Sequence, residues 1–139
     1  MALALIGCTA CRSYDPRLNG TWRSNREESI VAAVKIDPAW KYASPAAIER
    51  FKDIFGQTTF SYSGNRVVCH HQGDEIRFRY KLIERGEDYD IIQIMDRFNR
   101  RIGFVDGGRA YWSYNTNNSG VDIPWEKFDK IPEPSGWSQ

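Results

Sequence analysis

Histidine, long apolar runs and an excess of charge are all missing or scarce in this chain. Only two of the 139 residues are histidine, and the formal net charge is +1. Beyond the first few residues no segment approaches the roughly 20 apolar residues of a membrane-spanning helix. A nearly neutral chain has no overall field that would gather nucleic acid, so we predict no nucleic-acid partner.

Sequence motifs that carry catalysis are also missing. No serine stands in a nucleophile elbow, and no glycine-rich loop has the spacing of a phosphate cradle. The paired acids Glu27-Glu28 and Asp74-Glu75 fall where turns or strand starts are predicted, and solvated carboxylates are ordinary at such places. We therefore predict no catalytic residues, no enzyme activity and no cofactor.

The two histidines, His70 and His71, stand next to each other in one predicted strand. They must point to opposite faces, because side chains alternate along a strand. Cys69 and His71 share a face and offer two ligands, but zinc sites use at least three protein ligands. The same two histidines are the only candidates for binding haem. We predict neither a metal site nor a haem site.

The N-terminal residues Leu5-Ile6-Gly7-Cys8 follow the order of a lipobox, in which small and apolar residues precede a cysteine that becomes lipidated. The apolar stretch before Cys8 covers only residues 2–7, which is short for a signal sequence. Either the true start lies upstream or the match is a coincidence. We favour the first, because residues 9–15 then form a polar tether, and we expect a membrane-anchored lipoprotein facing the periplasm of a bacterial envelope.

Two cysteines remain once Cys8 is set aside for lipidation. Cys11 and Cys69 are an even pair that can form one disulfide in an oxidising compartment. The alternative is two free thiols, one in the tether and one inside a strand. The sequence leaves both alternatives open.

The clearest helix signal runs from Ser44 to Gly56. Ser44 is a suitable N-cap, Pro45 suits the first helical position, and Gly56 is typical of a helix end. The apolar stripe between them consists of Ile48, Phe51, Ile54 and Phe55. We predict a helix over 45–55 that covers an end or a flank of the sheet. Residues 29–34 are either part of a bent first strand or a turn of helix after it.

After Gly56 the hydrophobic period changes to two, which indicates short antiparallel strands separated by turns. The predicted strands are 58–63, 66–71, 75–84, 89–96, 101–105, 109–114 and 125–131, with loops at 97–100 and 115–124. With a first strand near Gly20 this makes about eight strands, a number at which a closed barrel has room for side chains or one small ligand. The predicted fold class is therefore mainly β: an antiparallel up-and-down barrel with one short helix inserted between the first and second strands.

Gly20-Thr21-Trp22, just ahead of the hairpin series, resembles the opening of lipocalin-like, or calycin-type, bacterial lipoproteins. The resemblance implies that Gly20 bends the first strand and that Trp22 is buried at one end of the barrel. It also implies a basic residue of the last strand beside the tryptophan, for which Lys127 and Lys130 are the candidates. The barrel domain then covers residues 16–131, between a signal and tether over 1–15 and a tail over 132–139.

Inward-facing aromatic residues are the candidates for contacting a ligand: Phe60, Tyr62, Phe78, Tyr80, Tyr111 and Trp112. The adjacent Tyr111 and Trp112 cannot both face inward. We expect a non-catalytic barrel that holds a small apolar or amphipathic molecule.

A different hypothesis is an envelope lipoprotein, for example an inhibitor or an exclusion or immunity factor, that binds a protein partner through surface loops at 97–101 and 115–123. The basic cluster of Arg97, Arg100 and Arg101 lies beside a basic strand face formed by Arg77, Arg79 and Lys81. These residues either contact an acidic partner or form the solvated outside of the barrel.

Overall fold

A computed structural model describes residues 14–36, 42–94, 99–116 and 122–132. In these ranges nine strands form one sheet: β1 (Gly20–Asn25), β2 (Thr58–Ser63), β3 (Arg66–His71), β4 (Asp74–Arg79), β5 (Lys81–Arg85), β6 (Tyr89–Gln93), β7 (Asn99–Val105), β8 (Ala110–Thr116) and β9 (Asp122–Ile131). Two helices, α1 (Arg26–Ile36) and α2 (Pro45–Lys52), lie between β1 and β2 in the chain. The predicted mainly β, antiparallel fold is confirmed.

The sheet curls around an apolar interior in the order β4-β3-β2-β1-β9-β8-β7-β6-β5, and all neighbouring strands are antiparallel. The first strand joins the two halves, because Trp22 lies opposite Phe60 of β2 and opposite Lys130 of β9. The outermost strands, β4 and β5, are not paired with each other in this sheet, but only Tyr80 separates them in the chain. The barrel therefore has a seam, and one extended segment forms both of its edges.

The break at Tyr80 is a correction to the predicted single strand over 75–84. The Tyr80 N–H donates to the carbonyl of Asn65, in the turn between β2 and β3, at 2.9 Å. Its hydroxyl accepts a hydrogen bond from the Asp15 N–H at 2.8 Å. Residues before Tyr80 pair with β3 and those after it pair with β6. These contacts divide the strand in two, which gives nine strands where about eight were predicted.

Helix α2 begins where the cap chemistry predicts. The Ser44 hydroxyl accepts a hydrogen bond from the Ala47 N–H at 3.2 Å, and the Ser44 carbonyl accepts one from Ile48 at 3.0 Å. The helix ends at Lys52, so the predicted end at Phe55 is wrong. Phe55 is instead fully buried, and its ring lies 5.4 Å from the ring of Trp125. This contact draws the chain away from the helix axis towards β9.

Helix α1 follows the first strand, which agrees with one of the two alternatives for residues 29–34 and excludes the bent first strand. It is a second helix beside the one predicted over 45–55. The Asn25 side chain accepts a hydrogen bond from the Glu28 N–H at 3.0 Å and donates to the Glu28 carboxylate at 2.9 Å. This reciprocal pair is similar to a capping box, except that the Glu28 carboxylate binds the side-chain amide of Asn25 rather than its backbone N–H. The buried Ser29 hydroxyl accepts a hydrogen bond from the Lys127 N–H of β9 at 2.9 Å. Glu27 and Glu28 thus lie in the first turn of a helix, where the helix dipole favours carboxylates.

The core is formed by residues that face the inside of the sheet: Leu18, Trp22, Tyr62, Val67, Tyr80, Ile92, Ile102, Tyr111 and Phe128.

Two predicted loops are shorter than expected. Strand β7 already begins at Asn99, β8 extends to Thr116, and β9 begins at Asp122. Residues 97, 98 and 117–121 of those loops lie outside the described residues. Neither described helix has the length and apolar character needed to cross a bilayer.

Candidate functional site

One end of the barrel, where β1 begins, is covered by a short 3-10 helix over Pro16–Leu18. We call this the closed end. Leu18 and Trp22 have no exposed surface, and the indole Nε1 of Trp22 donates to the Leu18 carbonyl at 2.7 Å. The Trp22 ring lies 4.8 Å from the ring of Tyr111. Trp22 therefore fills the interior next to the closed end.

The two lysines proposed as neighbours of Trp22 have different environments. Lys130 Nζ lies 5.5 Å from the centre of the Trp22 ring. Lys127 belongs to the other face of β9, where its ammonium lies 2.7 Å from the Glu28 carboxylate. That hydrogen bond raises the pKa of Lys127. Lys130 thus makes the contact that the resemblance implies, and Lys127 instead holds helix α1.

Gly20 occupies a position that disfavours any side chain. Its φ is +126°, in the range that favours glycine, and a Cβ built there would lie 2.7 Å from Cε of Lys130. The stem of Lys130 passes over Gly20 on its way to Trp22. The glycine therefore serves both the backbone conformation and this close approach.

Two buried carboxylates, Asp15 and Asp90, lie beside the closed end and share one guanidinium. Arg17 Nε donates to Asp15 at 2.8 Å, and Arg17 Nη2 lies 3.1 Å from Asp90. Burial, reinforced by the nearby Asp15, raises the pKa of Asp90 to about 8. Burial also acts to raise the pKa of Asp15, but hydrogen bonds with Asp90 and Arg17 outweigh it and lower that pKa. Of the two carboxyls, Asp90 therefore holds its proton more tightly than Asp15 does.

No residue of this cluster was predicted to be part of a site. Asp15 was predicted to be the last residue of a polar tether, yet its side chain is fully buried. Arg17 also donates to the Gly86 carbonyl at 2.9 Å and lies 4.7 Å from the centre of the Phe104 ring. The cluster ties the segment before β1 to the hairpin between β5 and β6. A local signal existed, since Asp15 accepts a hydrogen bond from the Arg17 N–H at 2.9 Å as the N-cap of the 3-10 helix.

The interior contains a cavity of about 110 Å³ towards the other end of the barrel. Nine of its lining residues are aromatic or aliphatic: Phe60, Tyr62, Phe78, Ile92, Ile94, Ile102, Tyr111, Trp125 and Phe128. Arg100, Ser113 and Glu126 add polar atoms to the same lining. An apolar cavity of about 150 Å³ holds benzene, so this volume suits a molecule of at most about six non-hydrogen atoms.

The six aromatic residues proposed as ligand contacts separate into two groups. Phe60, Tyr62, Phe78 and Tyr111 line the cavity. Tyr80 is buried, but it contacts Asp15 at the closed end and is not part of the lining. Trp112 lies on the opposite face of β8 from the inward Tyr111, because neighbouring side chains alternate. The structure therefore removes Tyr80 and Trp112 from the proposed set.

Two tyrosine hydroxyls meet inside the barrel. Tyr62 Oη and Tyr111 Oη lie 3.1 Å apart, and both residues are buried. Burial raises the pKa of each hydroxyl well above its ordinary value. Both groups therefore stay protonated at physiological pH and offer hydrogen bonds rather than a base.

Glu126 is the site residue that the sequence analysis missed. Its carboxylate accepts a hydrogen bond from the Ser24 hydroxyl, which in turn accepts one from the Gly56 N–H at 2.8 Å. Burial raises the pKa of Glu126, while Ser24 and the more distant His71 act in the opposite direction. Glu126 and the core residue Phe128 are two positions apart on β9, so strand alternation was the signal that placed Glu126 inside.

The predicted Cys69 and His71 share the inward face of β3. His71 Nδ1 lies 2.8 Å from the Thr58 hydroxyl, and burial raises the pKa of the free Cys69 thiol. His70 lies on the other face, with Nε2 3.7 Å from Glu75. Among the residues that the structure describes, no three His, Cys, Asp or Glu side chains are grouped to hold a metal. Cys8 and Cys11 lie outside those residues.

The predicted basic cluster does not form one surface. Arg100 and Arg101 are adjacent on β7, so Arg100 lines the cavity while the Arg101 guanidinium lies 5.2 Å from the rings of Tyr89 and Tyr114. Arg77 on β4 pairs with Glu75 at 2.7 Å, and Arg79 and Lys81 are exposed. Arg97 lies outside the described residues.

No protein-family model, curated protein or solved structure matches this chain.

The cavity has apolar walls with a few polar groups, which is the usual composition of a small-molecule binding site. Such an arrangement can hold a small amphipathic molecule with its polar end against Glu126, Ser113 or Arg100.

Proposed function

We propose that this protein is a non-catalytic binding protein that holds a small apolar or amphipathic molecule inside its barrel. The observation that carries the proposal is the interior cavity of about 110 Å³, lined by rings and aliphatic side chains with Arg100, Ser113 and Glu126 among them. Pockets for drug-sized ligands are larger, roughly 300 to 1,000 Å³. The proposed ligand is therefore smaller than most organic cofactors.

A neutral probe tests whether the cavity takes a ligand at all. Titration of the purified protein with 1-pentanol, followed by NMR, is expected to give saturable shifts at cavity residues such as Tyr62 and Phe128. Ile102 lines the cavity, so Ile102→Phe should fill it and abolish these shifts. Ile83 is 44% exposed, so Ile83→Phe adds the same ring outside and should bind as the wild type does.

The fold of both variants is verified first, because an added ring in a packed core costs about 1 to 3 kcal/mol. Saturable binding that persists unchanged in a folded Ile102→Phe protein would place the site elsewhere. A wild type that binds neither this neutral probe nor a cationic or anionic one of the same length would remove the proposal.

We further propose that the barrel is anchored to the bacterial envelope through Cys8 and faces the periplasm. The support is the order Leu5-Ile6-Gly7-Cys8, together with the resemblance of Gly20-Thr21-Trp22 to lipocalin-like lipoproteins. The contact of Lys130 with Trp22 adds to that resemblance.

Labelling of cells with a fatty-acid analogue tests the anchor. The label should mark the wild type and Cys69→Ala, the matched cysteine control, and should be absent from Cys8→Ala. Equal labelling of all three proteins, or of none, would contradict lipidation at Cys8.

A further inference from the structure

We infer that the cavity selects a small organic cation, whose ammonium group lies against the Glu126 carboxylate and the surrounding aromatic rings. This inference rests on the proposed function, because it names the ligand class of the same cavity. It is carried by three features of the lining: a partly buried carboxylate that forms no ion pair within the described residues, several aromatic rings, and the placement of Arg100.

The carboxylate is the first feature. Glu126 lines the cavity and accepts a hydrogen bond from Ser24, and within the described part of the chain it forms no ion pair. Partial burial of a carboxylate without a close counter-charge is unfavourable, and His71, which acts on Glu126 from further away, forms no ion pair with it. A ligand ammonium would supply both the counter-charge and additional hydrogen bonds. Glu126 therefore has the environment expected of a group whose partner is the ligand.

The aromatic rings are the second feature. The Phe128 ring lies 5.2 Å from the ring of Phe60 and 5.2 Å from that of Tyr111. Trp125, next to Glu126 in the chain, also lines the cavity. The face of an aromatic ring carries partial negative charge and attracts a cation that lies over it. Aromatic rings that line the same cavity as a carboxylate thus favour an organic cation over a neutral molecule of the same shape.

The third feature is the position of Arg100, because its positive charge offers an anionic ligand an alternative binding position. Glu126 of β9 lies opposite Ser113 of β8, and Ser113 lies opposite Ile102 of β7. Arg100 is the next inward position of β7, so it stands two strands away from Glu126 and one step further along the barrel. An anionic ligand would place its charge at Arg100, whereas a cation is repelled from that wall and directed to Glu126. Whether the cavity prefers a cationic or an anionic ligand therefore decides between Glu126 and Arg100 as the residue that binds the ligand charge.

Three probes with the same five-carbon chain distinguish these outcomes: pentylammonium, 1-pentanol and pentanoate. Their dissociation constants are measured by NMR titration at one pH and ionic strength. Because hydrogen bonds to charged groups are among the stronger ones, pentylammonium should bind the wild type at least about tenfold more tightly than the other two. Glu126→Gln keeps the size of the side chain and should remove this preference, because pentylammonium should lose more affinity than the uncharged 1-pentanol does. Glu27→Gln makes the same charge change on the exposed surface of α1 and should bind like the wild type.

The failures of the two proposals are distinguishable. Equal affinity for pentylammonium and 1-pentanol would overturn the cation preference and leave a neutral binding cavity. Tighter binding of pentanoate would overturn it in favour of a charge at Arg100. Undiminished pentylammonium binding by Glu126→Gln would also overturn it, and absence of binding by all three probes would remove the proposed function itself. The comparison of probes on the wild type stands even where the Glu126 variant does not fold.

Discussion

Truncation of Trp22 should destabilise the barrel more than any ring removed from its outer face. Trp22 has no exposed surface, and its ring packs 4.8 Å from Tyr111 and 5.5 Å from the Lys130 ammonium. Its indole nitrogen is also the hydrogen-bond partner of the Leu18 carbonyl. Trp22→Ala therefore leaves both a cavity and an unsatisfied carbonyl beside the closed end.

The expected magnitude follows from the size of the ring. Replacing a buried tryptophan by alanine costs about 3 to 5 kcal/mol of unfolding free energy. Domains of this kind have total stabilities of about 5 to 15 kcal/mol, so the loss is a large share of the whole. Trp22→Phe keeps most of the apolar volume but leaves the Leu18 carbonyl without its donor, which costs about 1 to 3 kcal/mol. The phenylalanine variant should therefore fall between the wild type and the alanine variant.

Urea unfolding followed by far-ultraviolet circular dichroism measures these differences without depending on tryptophan fluorescence. Trp112→Ala is the matched control, because Trp112 lies half-buried on the outer face of β8 and should cost less. A Trp22→Ala midpoint equal to that of the wild type would refute the reasoning. If that variant also lost ligand binding, Trp22 would be a binding residue rather than a structural one.

Two further predictions concern the closed end. Because the pKa of Asp90 is raised in the folded protein, its contribution to stability is fully present below the ordinary value of 3.8 and is lost as pH rises to about 8. Asp90→Asn should therefore remove a fall in unfolding free energy between about pH 4 and pH 8. The exposed Asp88→Asn should keep that fall, and a slope equal to that of the wild type in Asp90→Asn would contradict the assignment. Gly20→Ala should cost about 1 to 3 kcal/mol through backbone strain, as measured by urea unfolding. Restoration of the wild-type midpoint by an added Lys130→Ala would show that crowding, not the backbone, causes the loss.

Elements that depend on neighbours in the sequence were predictable. Strands β2 and β3 have the predicted bounds, because alternating apolar side chains flank a Gly64-Asn65 turn and the hairpin needs no distant contact. The start of α2 was predictable for the same reason, since Ser44 and Pro45 act on the adjacent turn. In both elements the residues that fix the conformation lie within a few positions of each other, so the local sequence pattern indicated it.

Elements that depend on distant contacts were not predictable. The apolar residues of α1 form no regular stripe, and the helix is fixed at its start by Asn25 and Glu28 and held to the sheet by Ser29 on Lys127. Its capping pair has a recognisable spacing, which was the one available signal. The end of α2 depends likewise on Phe55 meeting Trp125, some 70 residues further along the chain.

Local sequence patterns were enough to predict the fold class, the hairpin series and most of the aromatic residues that face inward. Alternation required that Tyr111 and Trp112 face opposite ways, but it carried no information on which of them faces the interior. The curvature of the closed-in sheet decided that, because it fixes which face of each strand is concave. The same curvature turns Glu126 inward to meet Ser24, 102 residues earlier in the chain, and places Arg100 in the same cavity. Charged residues are ordinarily assigned to the solvated face of a strand, and alternation alone did not outweigh that rule, so the tertiary contacts identified these two residues as parts of the candidate site.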